Sequence, residues 1–398
     1  MVENISVIST QLLDIISYRA AENITKMLSR HCILAVFAAV IINFGACKCF
    51  VIDSESEFEK SCSSDSMGNR NCSIVVPNNW NFLKFRRWLE KLNGNVKDVR
   101  LDLTCLDGGT VFLPWPFRAR NLRKIRVKNC LIDGYYSEYN TKTKYTNTVR
   151  DMALIDVSIL TDINQLIEMN LNDPLEKSST CGQETNVRFI QRNVSFHFVP
   201  TKSPPSLHRL QDGFDTLAEK SKTQPFTCHF EDLLFLEHTG SKSISRIHFD
   251  TMTDHSVYPK LKVFNFSSNY LPDLPRQLEQ WWKFFPSLRF LDLSNNEIRS
   301  FSFDHPDVSL EYLYISLANN NITSVPQDLF SYLSGKTPIL INLLGNPIHC
   351  DCRVSALSQY LRGLRIIAPH FKDLSNVQCH SPSNLAGRKV RTVNLQSC

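Results

Sequence analysis

Glycine is scarce in this sequence, with 13 among 398 residues, and the short motifs of several enzyme classes are missing. The scarcity makes a β-sandwich or a Gly-rich phosphate-binding fold less attractive. No G-x-S-x-G, H-E-x-x-H or dinucleotide-binding pattern occurs. The stretch SGKT at 334–337 lacks the upstream glycine of a phosphate-binding loop. We therefore expect no enzyme activity and no cofactor.

Charge is only mildly unbalanced, and long apolar runs are nearly absent. The net charge of +5 does not by itself indicate a nucleic-acid or membrane partner. One segment, residues 32–46, is apolar for about fifteen residues, fewer than the roughly 20 that a spanning helix needs. It follows Arg30 and His31 and ends on small residues, which is the layout of a secretory signal peptide.

The stretch before this signal is unusually long. We expect translation to start at Met27, or residues 1–26 to be a non-functional extension. The alternative is that the apolar run is retained as a signal anchor. Both alternatives place the bulk of the chain outside the cytosol.

Cysteines and glycan acceptor triplets agree with export. The 13 cysteines include one cluster after the apolar run and one at the end, formed by Cys47, Cys49, Cys62, Cys72, Cys350, Cys352, Cys379 and Cys398. Acceptor triplets stand at Asn71, Asn193, Asn265 and Asn321. Together with the signal, they favour an oxidising compartment.

A pattern repeats in the second half of the chain. Copies of L-x-x-L-x-L-x-x-N-x-L lie at 261–271, 288–298 and 312–322, and a copy at 338–348 departs only at Pro338. The asparagines stand at 269, 296, 320 and 346, with spacings of 27, 24 and 26. This pattern is that of the leucine-rich repeat. It predicts an α/β solenoid in which each coil adds one strand to a curved parallel sheet on the concave side.

The pattern has a physical basis. Residues two apart on a strand point to the same face, so positions four and six fill the core. The asparagine turns the chain away from the strand, and its amide can satisfy backbone groups that the turn leaves unpaired. The aromatics of 280–288 are expected to pack into the core from the convex side. Weaker copies lie at 96–106, 122–132, 149–159 and 186–194.

These features give a domain order. Apolar spacing over 78–95 predicts a helix in an N-terminal cap. The predicted segments are a signal peptide or signal-anchor region (1–47), a cysteine-containing N-terminal cap (48–94), degenerate leucine-rich repeats (95–200), a polar insertion (201–229), leucine-rich repeats (230–348) and a cysteine-rich C-terminal cap (349–398). Residues 229–260 contain strand-like runs that fit no register of the repeat.

The end of the chain resembles the cysteine-rich C-terminal cap of extracellular leucine-rich-repeat proteins, including the ectodomains of Toll-like receptors. That motif has C-x-C after the last Asn-Pro, a helix, a cysteine before a Pro-x-x-Leu-x-Gly segment, and a final cysteine. The matching residues are Cys350, Cys352, Cys379, Pro382, Leu385, Gly387 and Cys398, with Tyr360 in place of the usual Trp. The resemblance implies disulfides Cys350–Cys379 and Cys352–Cys398.

A possible zinc site and the cysteines outside the caps also need an interpretation. His349 with Cys350 and Cys352 suggests a zinc site, but finger-type sites use C-x₂₋₄-C pairs, and we expect no metal. Cys130 takes the asparagine position of its coil and is expected to be a buried thiol. Cys181 and Cys228 flank the polar insertion, and we expect them to pair.

The sharpest functional signal is positive charge on the predicted concave face. It is carried by Lys97, Arg100, Arg123, Lys124, Arg126 and Lys128. Such a face favours an anionic partner, either an acidic protein surface or a sulfated glycan, with nucleic acid a poorer choice. An ordinary solvated face is the competing interpretation. A glycan at Asn265 would block part of the same face.

The sequence thus predicts a secreted or cell-surface protein that acts by binding an extracellular protein or an anionic glycan. The resemblance implies roles such as innate immune recognition, adhesion or signalling. The alternative is the ectodomain of a Toll-like or related receptor whose membrane span lies beyond this chain. Because the sequence ends at the last cysteine of the cap, we expect a released protein, with membrane attachment only if the signal anchor is retained.

Overall fold

The computed structural model describes most of the chain after residue 53. The described ranges are 54–92, 96–106, 108–138, 144–162, 185–199, 228–241, 256–304, 312–334, 339–364 and 371–393. They belong to one compact unit, Val51–Cys398. The apolar run at 32–46, most of the polar insertion and Cys181 lie outside the described residues. The signal segment and the Cys181–Cys228 pairing therefore stay predictions.

An eleven-stranded sheet is the framework of the fold. Its first pair, β1 (Cys62–Ser64) and β2 (Arg70–Val76), is antiparallel. The later pairings are all parallel. The remaining strands, in spatial order, are β4 (Val99–Cys105), β6 (Leu122–Lys128), β8 (Asp151–Ile155), β10 (Arg188–Arg192), β13 (Phe235–Thr239), β15 (Val263–Asn265), β16 (Phe290–Asp292), β17 (Leu313–Ser316) and β18 (Ile339–Asn342). The predicted parallel sheet is confirmed.

The segments that connect these strands differ between the two halves. In the N-terminal half they form a second, five-stranded parallel sheet. Its strands are β3 (Asn79–Asn81), β5 (Thr110–Phe112), β7 (Leu131–Asp133), β9 (Ser158–Asp162) and β11 (Ser195–Val199). A small parallel pair follows, β12 (Cys228–His229) with β14 (Ser256–Val257). The C-terminal half uses short helices: α3 (Arg276–Glu279), α4 (Trp281–Phe284) and α5 (Gln327–Leu333).

The core lies between the main sheet and these connecting segments. Phe264, Leu291 and Ile315 occupy matching register positions and are at most 1% exposed. From the other side, Trp281 and Phe285 are buried against the same cluster. The prediction that the aromatics of 280–288 pack into the core is confirmed.

The asparagines of the pattern form a buried ladder. Asn320 donates through Nδ2 to the carbonyls of Leu293 and Leu317, both at 3.0 Å, and accepts from the Ile298 amide at 3.1 Å. Asn269, Asn296 and Asn346 make equivalent bonds. The amide side chains therefore satisfy backbone groups where each strand ends, as the pattern predicts.

The N-terminal cap is a hairpin held by a disulfide. Cys62 and Cys72 pair across β1 and β2. The preceding helix α1 (Glu55–Ser61) buries Phe58 against Trp80 and Trp88. The predicted helix over 78–95 is shorter in the structure, where α2 spans Phe82–Lys91. This helix begins directly after strand β3. The Asn81 side chain accepts a hydrogen bond from the Leu83 amide at 2.8 Å and so caps its N-terminus.

The C-terminal cap covers the last strand. Its elements are β19 (Ile348–His349), a 3₁₀ turn (Cys352–Val354), α6 (Ser355–Gly363), α7 (Phe371–Ser375), β20 (Cys379–Ser381) and a second 3₁₀ turn (Val390–Thr392). The Tyr360 hydroxyl donates to the Ile339 carbonyl at 3.0 Å and accepts from the Ile341 amide at 3.1 Å. The last strand of a sheet has backbone groups with no neighbouring strand to pair with. The Tyr360 hydroxyl pairs with two of these groups.

Disulfides close this cap. Cys350 is bonded to Cys379. Cys352 is also disulfide-bonded, and its predicted partner Cys398 lies outside the described residues. Neither thiolate is therefore available to a metal, and His349 instead lies 2.7 Å from the Ser381 hydroxyl.

The structure corrects two expectations about the earlier coils and places one segment that the sequence leaves without a register. Cys130 is not a free thiol, because it is bonded to Cys105 of the preceding coil. The copy at 96–106 is out of register, since Leu101 pairs with Ile125 and so takes position four. The segment 229–260, which fits no sequence register, contributes β13 between β10 and β15.

The parallel part of the sheet also begins earlier than residue 95, at β2. That strand buries alternate residues, including Ile74 and Val76, but Pro77 stands where the repeat would have its asparagine.

Candidate functional site: the concave face of the sheet

Alternate residues of the main sheet point away from the core and line its concave face. Their register defines two rows that run across all the coils. The first concave row contains Asn71, Arg100, Lys124, Asp151, Arg188, Phe235, Val263, Phe290, Tyr314 and Leu340. The second concave row contains Ser73, Asp102, Arg126, Ala153, Ile190, Glu237, Asn265, Asp292, Ser316 and Asn342.

Four of the six predicted binding cations lie together at the N-terminal end of this face. We name Arg100, Lys124, Arg126 and Lys128 the basic patch. Arg100 and Lys124 are register neighbours, and Arg126 and Lys128 follow on the same strand as Lys124. Arg100 and Arg126 are exposed, and the two lysines are half-buried. Within the described residues, none of the four has a carboxylate within ion-pair distance.

The other two predicted cations lie apart from the patch. Arg123 stands at a one-residue register shift between β4 and β6. Its Nε lies 3.0 Å from Asp98 Oδ1, and its Nη1 donates to the Thr148 carbonyl at 3.3 Å, so its charge is partly neutralised. Lys97 is exposed but precedes β4, because that coil starts later than the sequence pattern indicates.

Acidic residues border the patch without neutralising it. Asp102 is the register partner of Arg126, and Asp151 is the register partner of Lys124. Farther along, Glu237 is only 4% exposed and is paired with Arg192, whose Nη2 lies 2.9 Å from Glu237 Oε2. The charge of Glu237, the one buried carboxylate of the second row, is therefore neutralised by Arg192.

Arg188 is a residue of this face that the sequence does not single out. Its guanidinium carbon lies 4.7 Å from the ring centre of Phe235 on the next strand. This cation–π contact marks the point where the first concave row changes from charged to apolar. The sequence signal that could have identified Arg188 is the weak repeat at 186–194. In the register that the structure shows, Arg188 takes position three of this repeat, which lies on the concave face.

Beyond Arg188 the first concave row is apolar. Phe235, Val263 and Phe290 are half-buried there. The ring of Phe290 stacks on that of Tyr314, with centres 5.3 Å apart. Tyr314 and Leu340 at the far end are buried under Leu374 of helix α7. The C-terminal cap therefore covers one end of the apolar part.

The glycan acceptor asparagines occupy different surroundings. Asn193 and Asn321 are exposed, at turns that follow the strands. Asn71 is half-buried on the first concave row, beside Arg100. Asn265 is half-buried on the second row, and its Oδ1 accepts from the Ser267 amide at 3.0 Å. Glycosylation at all four stays a prediction.

The Asn265 hydrogen bond recurs in other coils. Asp292 and Asn342 at the same register position each accept from the amide two residues later, at 3.0 Å. Such Asx turns stabilise the exit of the chain from the strand. Asn265 therefore has a structural reason to be present, apart from any glycan.

Other kinds of site are missing from the part of the chain that the structure describes. It contains no group of three or more His, Cys, Asp or Glu side chains placed to hold a metal ion. No helix in this part has the length and apolar character needed to cross a membrane. The concave face is therefore the surface with the most distinctive chemistry in these ranges.

Comparisons with known proteins agree with the fold. A family model described as Leucine Rich Repeat matches residues 287–307. Toll-like receptor 2 of Bison bison is 28% identical over 186 residues, which cover 42% of this chain and 22% of that receptor. Leucine-rich repeat-containing protein 3 of Danio rerio is 28% identical over 207 residues, 51% of this chain and 69% of that protein.

A solved structure gives a weaker match. Human 5T4, also titled Wnt-activated inhibitory factor 1 or trophoblast glycoprotein, aligns with a TM-score of 0.40 and 16% identity, over 84% of this chain and 96% of that one. The region similar to the Toll-like receptors spans only about a fifth of their length. What those whole receptors do is therefore not carried over to this chain as a fact.

Proposed function

This chain is a leucine-rich-repeat protein with disulfide-bonded ends, and from that fold we propose that it is an extracellular or cell-surface recognition protein. It binds an anionic macromolecule through the concave face of its sheet and does no chemistry on it. The basic patch is the single observation that carries this proposal. Four cations without ion-pair partners among the described residues lie on two adjacent strands.

Electrostatics supports this assignment. Cations on a concave surface reinforce one another's field and raise the association rate of an oppositely charged partner. Open strands offer a broad surface instead of the enclosed pocket that catalysis on a small molecule needs. A protein with acidic side chains and a sulfated glycan both fit this chemistry.

The test uses two anionic probes, immobilised heparin and immobilised polyglutamate. We expect the secreted protein to bind at least one of them. A variant with Arg100, Lys124, Arg126 and Lys128 all changed to Ser should elute at markedly lower salt, because each contact with an anion is screened by added ions. The matched control changes four exposed cations elsewhere, namely Arg87, Arg120, Arg388 and Lys389.

Three results would contradict the proposal. The first is equal elution of the patch variant and the unchanged protein. The second is an equal loss of retention in the control variant, which would indicate net charge and not the concave face. The third is that the unchanged protein binds neither probe at low salt.

A receptor ectodomain is the second candidate, favoured by the similarity to Toll-like receptor 2 over 42% of the chain. In that case the concave face would serve ligand capture for a longer protein. Sequencing of the full transcript tests this candidate. An apolar segment of about 20 residues downstream of codon 398 would support it.

A further inference from the structure

The first concave row changes character along the solenoid, and this change carries an inference about the partner. Its N-terminal part holds Arg100, Lys124 and Asp151, with two positive charges to one negative, and its C-terminal part holds Phe235, Val263 and Phe290. Arg188 joins the two parts through its contact with Phe235. One continuous line of side chains therefore offers positive charge at one end and apolar surface at the other.

The apolar part does not exist to close the end of the solenoid. The cap needs to cover only the last strands, and Leu374 does so over Tyr314 and Leu340. Val263 and Phe235 lie two and three strands before Tyr314. Leu234, directly before Phe235, is 37% exposed and widens this apolar area. Stability of the cap gives no reason for these side chains to be apolar.

The cap also shows which chemistry this row accepts. Leu374 is completely buried, and it belongs to a five-residue helix placed against the strands. An aliphatic side chain on a short segment thus docks on the row at its covered end. The adjoining positions Phe290 and Val263 continue the same surface toward the basic patch.

We propose that the partner is a protein whose docking segment carries a block of acidic residues beside a block of aliphatic or aromatic residues, laid along the first concave row. This inference rests on the proposed function and deepens it. The acidic residues contact the basic patch, and the apolar residues contact Phe235, Val263 and Phe290. A sulfated glycan would complement the charge, but it has no apolar side chains to cover the second half of the row.

The geometry fixes the length of this segment. From the strand of Arg100 to that of Phe290 the sheet takes six strand steps, or about 29 Å at roughly 4.8 Å per step. An extended peptide covers that distance with about nine residues. A helix needs about 19 residues at about 1.5 Å each. The acidic and apolar blocks are therefore separated by only a few residues in an extended segment.

The experiment is selection of a phage-displayed library of random twenty-residue peptides, long enough for either an extended or a helical segment, against the secreted protein. All proteins in this experiment carry the substitution Asn265→Asp, which removes the glycan acceptor from the concave face. An aspartate at this position can still accept the hydrogen bond from the Ser267 amide, as Asp292 does from the Ser294 amide in the next coil. We expect enriched peptides to carry an acidic block and an apolar block in one constant order. Affinity of these peptides is then measured on four variants.

The variants separate the two halves of the row. Val263→Asp and Leu234→Asp should each weaken peptide binding by at least about tenfold and leave heparin retention unchanged. Leu106→Asp, at a 51% exposed aliphatic residue outside the concave rows, is the control and should change neither. The fourfold Ser variant of the basic patch should weaken both. Secretion level and circular dichroism verify that each variant is folded.

Each other outcome has one meaning. Peptides that are enriched only for acidic residues, or that bind Val263→Asp and Leu234→Asp normally, overturn the inference and leave the proposed function standing. No enrichment, together with patch-dependent binding to heparin, identifies a glycan partner and also overturns it. Binding that depends on neither half of the row contradicts both the inference and the proposed function.

Discussion

Removal of one rung of the asparagine ladder should destabilise the solenoid measurably, and Asn320→Ala is the cleanest case. Asn320 is 4% exposed and lies in the middle of the regular coils. Its side chain bonds to backbone groups of two different coils, the Ile298 amide in one and the Leu317 carbonyl in its own. Alanine is small enough to cause no clash, so the change removes hydrogen bonds and a little packing.

The size of the stability loss depends on which hydrogen bonds each backbone group keeps after Asn320→Ala. The Ile298 amide has no other acceptor among the described residues, and such an orphaned buried group costs about 1–3 kcal/mol. The carbonyls of Leu293 and Leu317 keep a second donor, from Asn296 and Asn346. Each of these two loses one of two bonds, at about 0.5–1 kcal/mol. We expect a loss of about 2–5 kcal/mol in the free energy of unfolding.

Urea unfolding followed by tryptophan fluorescence and far-UV circular dichroism measures this loss. The matched control is Asn384→Ala, the same substitution at an exposed asparagine of the C-terminal cap. It should lower the free energy of unfolding by less than about 0.5 kcal/mol. Equal midpoints for the two variants, with unchanged slopes, would refute the reasoning that the ladder carries backbone hydrogen bonds. A lower slope would instead indicate that neighbouring coils unfold separately.

Three further predictions concern other contacts. Arg86→Met should cost about 3 kcal/mol in urea, because it removes the guanidinium that lies 2.7 and 2.8 Å from the two oxygens of the Glu138 carboxylate. Replacing both Cys105 and Cys130 by Ala should lower stability by about 3–4 kcal/mol, and non-reducing peptide mapping should show this pair in the unchanged protein. Burial raises the pKa of the Tyr360 phenol, so stability is full below pH 10 and falls above it, and its phenolate absorbance should appear only with unfolding.

The regular coils could be predicted because each one carries its own signal. In coils 261–271 to 338–348, the apolar residues fill the core and the asparagine bonds to backbone groups, either within the same repeat or in a neighbour with the same pattern. The coil around β13 could not be predicted in this way, since His238 occupies an inward position. It is 1% exposed, and its Nδ1 lies 2.8 Å from Gln191 Oε1 on the adjacent strand. Two buried polar groups that satisfy each other across coils are invisible to a pattern scanned one repeat at a time.

The candidate site could be predicted in part for the same reason. Alternation along β6 placed Lys124, Arg126 and Lys128 on the concave face without knowledge of their neighbours. The position of Arg123 depended on a register shift between two strands, which no single strand encodes. The importance of Arg188 depended on Phe235, which follows it by 47 positions in a segment with no sequence register.

The arrangement of charge on this face is hard to explain by stability alone. Like charges directly opposite on adjacent strands are unfavourable, by about 0.2–1 kcal/mol per pair, and Arg100 faces Lys124 in this way. Asp151, on the other side of Lys124, offsets part of that repulsion. Asp102 opposite Arg126 also alternates in sign, as the pair Arg192–Glu237 does farther along the face, so Arg100 opposite Lys124 is the exception. Local rules are broken most often where a protein binds or reacts, so the Arg100–Lys124 pair agrees with the proposal that the basic patch is a binding surface.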